Sequence, residues 1–148
     1  MPVTAGVSFL RVIDMWKPYR ERNGRLPDFL VEYRFFTPQE GGRQSTPFQG
    51  YRSDLHYEGE DINKEGIYCI WPEFLNKDGT VKTGENEHVA ESGKAFMWIL
   101  FFDEMWQYHA KNAKPGRKCW LMEGSRKVAE ATIIEQIALV HKIENSKS

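Results

Sequence analysis

The chain has 148 residues, 41% hydrophobic and 14% aromatic, and its 20 Lys and Arg stand against 21 Asp and Glu for a formal charge of −1. A chain of this length makes one domain that buries about 70% of its unfolded surface, and nine Phe, six Tyr and five Trp exclude wholesale disorder. The charge balance excludes a surface that is basic all round, and no apolar run approaches the roughly 20 residues of a membrane span, the longest being 95–102.

The first residues lack a basic stretch followed by an apolar one, so no secretory leader is expected and the cytoplasm is the expected address. A first strand is expected over residues 7–14, then a polar connection in which Asn23-Gly24 marks a turn. Residues 29–37 form the cleanest strand, with Phe29, Val31, Tyr33 and Phe35 on one face, Glu32 and Arg34 on the other, and Pro38 as its end. Further strands are expected over 53–57, 67–71, 95–102 and 118–123, where aromatic and β-branched residues recur between turn signals. Residues 103–112 are expected to make a short helix, stopped by Lys114-Pro115-Gly116. From 128 to 140 apolar positions 129, 133, 134, 137 and 138 suit a helix, while Ala129, Ala131 and Ile133 alternating with Glu130 and Thr132 suit a strand; periodicity leaves both open. Residues 144–148 read as a frayed tail.

Motifs that carry chemistry are few. No phosphate-cradling glycine loop and no Gly-x-Ser-x-Gly elbow occurs, and Glu58-Gly59-Glu60-Asp61 lacks the ligand alternation of a calcium loop. The four histidines, His56, His88, His109 and His141, have no metal-ligand spacing, and Cys69 and Cys119 lie inside strand-like segments, where two buried reduced thiols are expected. The expectation is therefore no metal, no cofactor, no nucleotide and no catalytic residue.

One pattern is more specific. Residues 29–43 end in Glu40-Gly41-Gly42-Arg43; six residues holding Thr46, Pro47 and Phe48 follow, and then Gly50-Tyr51-Arg52. Near the other end, Glu123-Gly124-Ser125-Arg126-Lys127 joins two strand-like segments. This resembles the C-terminal β-barrel domain, the third domain, of elongation factor Tu over about residues 28–138, with Thr46-Pro47 one step later than in the family pattern. The resemblance implies a mainly β fold, a single antiparallel Greek-key β-barrel ending in a strand over 128–137, with the helical excursion near 103–112. The chain then divides into an N-terminal strand and connection over 1–27, the barrel over 28–140 and a tail over 141–148. The family's nucleotide-binding domain is absent, its basic residue before Gly-Tyr-Arg is Gln49 here, and its Thr in the last hairpin is Lys127.

In that family these loops face a protein domain, and another part of the barrel touches tRNA. The function expected is a stand-alone, non-catalytic binding module, docking onto a protein partner, a translation component among the candidates, through the loop from Gln39 to Arg52. Its binding residues are Arg43, Thr46, Phe48, Tyr51, Arg52, Arg126 and Lys127, with tyrosine and arginine as the residue types favoured at hot spots. The competing reading of Arg43, Arg52 and Arg126 is internal: hydrogen bonds to turn carbonyls or stacking on Tyr51. The alternative function is an RNA- or tRNA-binding accessory of translation, and the third is an enzyme built at the barrel mouth from His56, His88 or His109. The charge is uneven: residues 1–53 carry +3, 54–91 carry −7 and 92–148 carry +3, so a local basic face stays open beside an acidic middle that includes the 76–94 insert.

Overall fold

A computed structural model describes residues 16–61, 68–84 and 86–146; the strand expected over 7–14 lies outside them. In chain order the elements are α1 (Tyr19–Asn23), β1 (Phe29–Phe35), a 3-10 turn at Pro38–Glu40, β2 (Ser53–Tyr57), β3 (Tyr68–Phe74), β4 (Ser92–Ile99), α2 (Phe102–Asn112), β5 (Lys118–Glu123), β6 (Arg126–Gln136) and α3 (Ala138–Ser146).

The six strands close into one barrel in the order β1-β4-β3-β2-β5-β6, with β6 paired back onto β1 and every neighbouring pair antiparallel. The β1 alternation does what its pattern dictates: Phe29, Val31, Tyr33 and Phe35 are buried inside the barrel. Tyr33 stands opposite Ala131 on one side and Gly93 on the other, so a large ring fits between two small neighbours. Its ring meets Phe74 edge-on at 5.1 Å, and Phe35 continues the stack to Tyr51 at 6.2 Å. Register shifts at Leu30/Val31 and at Leu121/Met122 bend the sheet as closure requires.

The bounds of β1, β3 and β4 differ from expectation: β1 ends at Phe35 rather than 37, and β4 ends at Ile99 rather than 102, where Phe102 already belongs to α2. β3 runs through Pro72 to Phe74, because β4 pairs with it from Ile70 to Phe74; on the other edge the β2 ladder ends at Ile70 and the Gln49 side chain takes over. The Gln49 amide nitrogen donates to the Phe74 carbonyl at 2.9 Å, and its oxygen accepts from the Phe74 N–H at 2.8 Å, as a partner strand would. β4 starts at Ser92, inside the expected insert, and the rest of that insert includes a tight turn with Asn76 N–H bonded to the Thr80 carbonyl at 2.7 Å. The two periods seen over 128–140 turn out to be consecutive. Strand β6 carries the alternation to Gln136, and α3 carries the helical spacing, with Leu139 fully buried and Ile143 packed on the core. Residues 141–146 are thus helix rather than tail. α2 matches the expected excursion and covers the barrel with His109 and Ala110 buried.

Outside the barrel lies a second apolar layer. Trp16, Tyr19 and Trp98 pack with Trp71, Val81 and Phe96, and the Glu73 carboxylate is buried among them. It accepts hydrogen bonds from the Trp16 indole (2.8 Å), the Tyr19 backbone (2.8 Å) and the Trp98 indole (3.1 Å). Cys119 is buried as expected, but Cys69 is exposed: on β3 it lies between the inward Ile70 and the partly exposed Tyr68, on the outward side of the wall. Both thiols are free.

Candidate functional site

The loop between β1 and β2 is built by local chemistry. Thr37 and Glu40 form a capping box round the 3-10 turn, each side chain accepting from the other's backbone N–H. Gly42 admits no side chain, since a Cβ there would lie 2.1 Å from the Phe36 carbonyl oxygen. Gly50 has φ +95° and presses on the Trp16 ring, so it too must be glycine.

The two hairpins singled out in the sequence meet on one residue. The Arg43 guanidinium and the Tyr51 hydroxyl both donate to Oε2 of Glu123, and Arg126 donates to Oε1 at 2.9 Å. Arg43 also bonds the Ser45 carbonyl at 3.0 Å and lies over the Tyr51 ring at 5.2 Å. Burial opposes ionisation of Glu123, but the bonds from Tyr51, Arg43 and Arg126 outweigh it and hold its carboxyl below the usual range. Burial first, and Glu123 second, push the Tyr51 phenol well above its ordinary value.

Beyond this knot the loop opens into a groove of about 360 Å³. Thr46 donates to the Val89 carbonyl at 2.6 Å, and Val89 N–H returns a bond to the Pro47 carbonyl at 2.9 Å. Phe48 pairs with His88, ring centroids 4.8 Å apart, and the His88 Nδ1–H donates to the Thr46 carbonyl. Phe48 remains 41% exposed beside that groove.

Of the seven residues expected to bind, Arg43, Tyr51 and Arg126 come together at Glu123, and Thr46 and Phe48 share the groove with His88. Arg52 turns elsewhere and lies over the Trp71 ring at 4.2 Å, and Lys127 sits 3.6 Å from the Trp120 ring centre. His88 and Glu123 are the site residues that sequence reasoning did not assign to binding. Glu123 begins the Glu-Gly-Ser-Arg turn itself, so a charged partner for Arg43 was available in the motif.

The three histidines of the enzyme reading occupy separate surroundings. His56 stacks on Trp120 at 5.8 Å, and its Nε2 lies 2.9 Å from the Glu60 carbonyl. His109 is buried against the Tyr57 hydroxyl at 2.7 Å, and burial pushes its pKa down to about 4. Among the described residues no three His, Cys, Asp or Glu side chains form a group fit to hold a metal, and no helix is long and apolar enough to cross a membrane.

No protein-family model matches the chain, and a search of curated proteins finds no match.

Proposed function

We propose that the chain is a non-catalytic binding module that docks onto a protein partner through the 39–52 loop. The observation that carries this reading is Phe48, held against His88 at 4.8 Å and 41% exposed on a loop whose backbone is pinned on both sides. Arg43, Tyr51 and Arg126 fix one side at Glu123, and Thr46 and Gln49 fix the other at Val89, Phe74 and Lys82. An aromatic anchor presented on a pre-ordered loop loses little conformational entropy on binding, which is what a hot spot requires. The arginines support the loop from behind, and the contact falls to the exposed Phe48 and His88.

The further reading, a Greek-key barrel like the C-terminal domain of elongation factor Tu, draws support from the strand order. β1 lies between β4 and β6, reached from β2 only across the 39–52 loop, while β2, β3 and β4 are sequential neighbours. On that reading the docking loop corresponds to the face that a translation factor turns towards a neighbouring protein domain.

A photo-crosslinking side chain placed at position 48 tests the proposal in cells. A discrete protein adduct from position 48, with none from the same probe at the exposed Lys114, is the expected result. Equal labelling from both positions contradicts it.

A further inference from the structure

A second groove shares no lining residue with the first. It has a volume of about 320 Å³ and lies between α1 and the β4–α2 turn, lined by Tyr19, Asn23, Arg25, Trp71, Trp98 and Phe101 among others. Phe101 is 64% exposed, the most exposed of the large apolar side chains described. Its backbone is left-handed, φ 57° and ψ 51°, a conformation that disfavours every residue with a Cβ and that glycine would adopt freely. The β4–α2 turn sets this backbone, the Phe101 carbonyl accepting from the Glu104 and Met105 N–H groups as α2 begins, but the turn has no use for an exposed aromatic ring.

Two cations flank the lining: Arg22 lies 5.6 Å from the Tyr19 ring and Arg52 4.2 Å from the Trp71 ring, while Glu21, Asp103 and Glu104 are exposed on α1 and α2. Lys17, Arg20 and Arg22 are exposed on or beside α1, and Arg52 joins them from the end of the first loop. None of these four is in an ion pair among the described residues, whereas Arg25 is neutralised by Asp28 at 2.6 Å. Arg22 lies over Trp16 at 4.1 Å and Arg52 over Trp71 at 4.2 Å. A guanidinium stacked on an indole keeps its N–H edge free for a phosphate, to which it can bond in pairs. No cation lies over Phe101 among the described residues, so its ring is open to a planar ligand.

We propose that this groove binds single-stranded nucleic acid, with one base stacked on Phe101 and the flanking phosphates held by Arg22 and Arg52. Aromatic platforms beside cationic grooves bind single strands in this way, with little sequence preference. An acidic peptide would meet the arginines but leave Phe101 without use, and a duplex keeps its bases stacked internally. The formal charge of −1 is compatible, since residues 1–53 carry +3 of their own.

The test is fluorescence anisotropy of a labelled oligouridylate at about 50 mM salt, where phosphate contacts are strong. Alongside it run a duplex of equal length, a free uridine monophosphate and an oligoglutamate peptide. The single strand is expected to bind at least about tenfold more tightly than any of the three, a margin of about 1.4 kcal/mol. Phe101→Gly is expected to weaken binding roughly 5- to 100-fold, the range for one stacked base, while the melting temperature holds or rises because the left-handed backbone is relieved. The double variant R22A/R52A is expected to lower the slope of log affinity against log salt by about 1.4, two single-strand phosphates. Phe48→Ser, in the other groove, is expected to leave oligonucleotide binding unchanged. Absence of binding at low salt, equal binding of the duplex, peptide or mononucleotide, or indifference to both groove variants would each overturn the proposal.

Discussion

At Glu123 two guanidinium groups and a phenol converge on a carboxylate whose side chain is 26% exposed, and the 39–52 loop is tied to the β5–β6 hairpin through it. Replacing Glu123 by Ala leaves all three donors without their acceptor; with partial solvent access discounted, the loss is about 2 kcal/mol in urea unfolding. Glu123→Gln retains an acceptor and is expected to lose less. A second residue sets the pH response. His109 is buried with its pKa lowered to about 4, whereas in the unfolded chain it titrates near its ordinary 6.5. The unfolded state therefore binds a proton that the fold refuses as pH falls from 6.5 to 4, so stability is full above 6.5 and is lost across that window. The expected loss is about 3 kcal/mol. Urea midpoints measured from pH 7 to 4 should fall steeply in the native chain and more shallowly in His109→Gln; equal slopes would show that other groups control acid stability. The internal role of Arg43, bonding the Ser45 carbonyl and lying over the Tyr51 ring, was one of the two readings open beforehand; its pairing with Glu123 was not chosen. Arg43 and Glu123 are 80 positions apart, and nothing local to either one announces the pair.

Elements with strict alternation were legible. The bounds of β2 and β5 match their patterns, and β1 starts where Phe29 begins its run of inward aromatics. Others depended on distant partners. Pro72 argues for the end of a strand, yet β3 continues because β4 pairs with it as far as Phe74, while Gln49 satisfies Phe74 on the other edge. The exposed Cys69 shows the same limit: its aromatic neighbours suggested burial, while the pleat turned it outward. The last segment was ambiguous because two elements of different period meet at Ile137, where the backbone N–H of Ile137 bonds to the Asp28 carbonyl at 2.9 Å. The α1 segment makes the sharpest prediction at this scale. Glu73 gathers Trp16, Tyr19 and Trp98 with no ion-pair partner among the described residues, so Glu73→Ala strands three buried N–H groups. The expected cost is about 3 kcal/mol or more, with tryptophan emission shifted to the red as the layer loosens. Unchanged emission would mean that packing alone holds α1 in place.

The whole molecule combines a rigid closed barrel with two grooves that have no lining residue in common. Closure removes free sheet edges, so the barrel offers no edge for strand addition, and on the proposed reading binding falls to loops and to the layer outside it. Net charge hid this arrangement, because the +3 of residues 1–53 and the +3 of residues 92–148 nearly cancel the −7 of the middle. The expectation of a barrel with a docking loop came from two short motifs. Which side chains face outward was set by the knot at Glu123, which draws Arg43 and Tyr51 inward and leaves Phe48 and His88 at the surface. The central claim is that this loop is a protein-docking face. Quantitative affinity capture should compare the native chain, the double variant Phe48→Ser/His88→Ala, and Phe101→Gly, all shown to melt within a few degrees of one another. The account predicts a protein partner recovered by the native chain and by Phe101→Gly and depleted at least about tenfold by the double variant, the equivalent of about 1.4 kcal/mol. The same proteins in the same amounts from all three would contradict it.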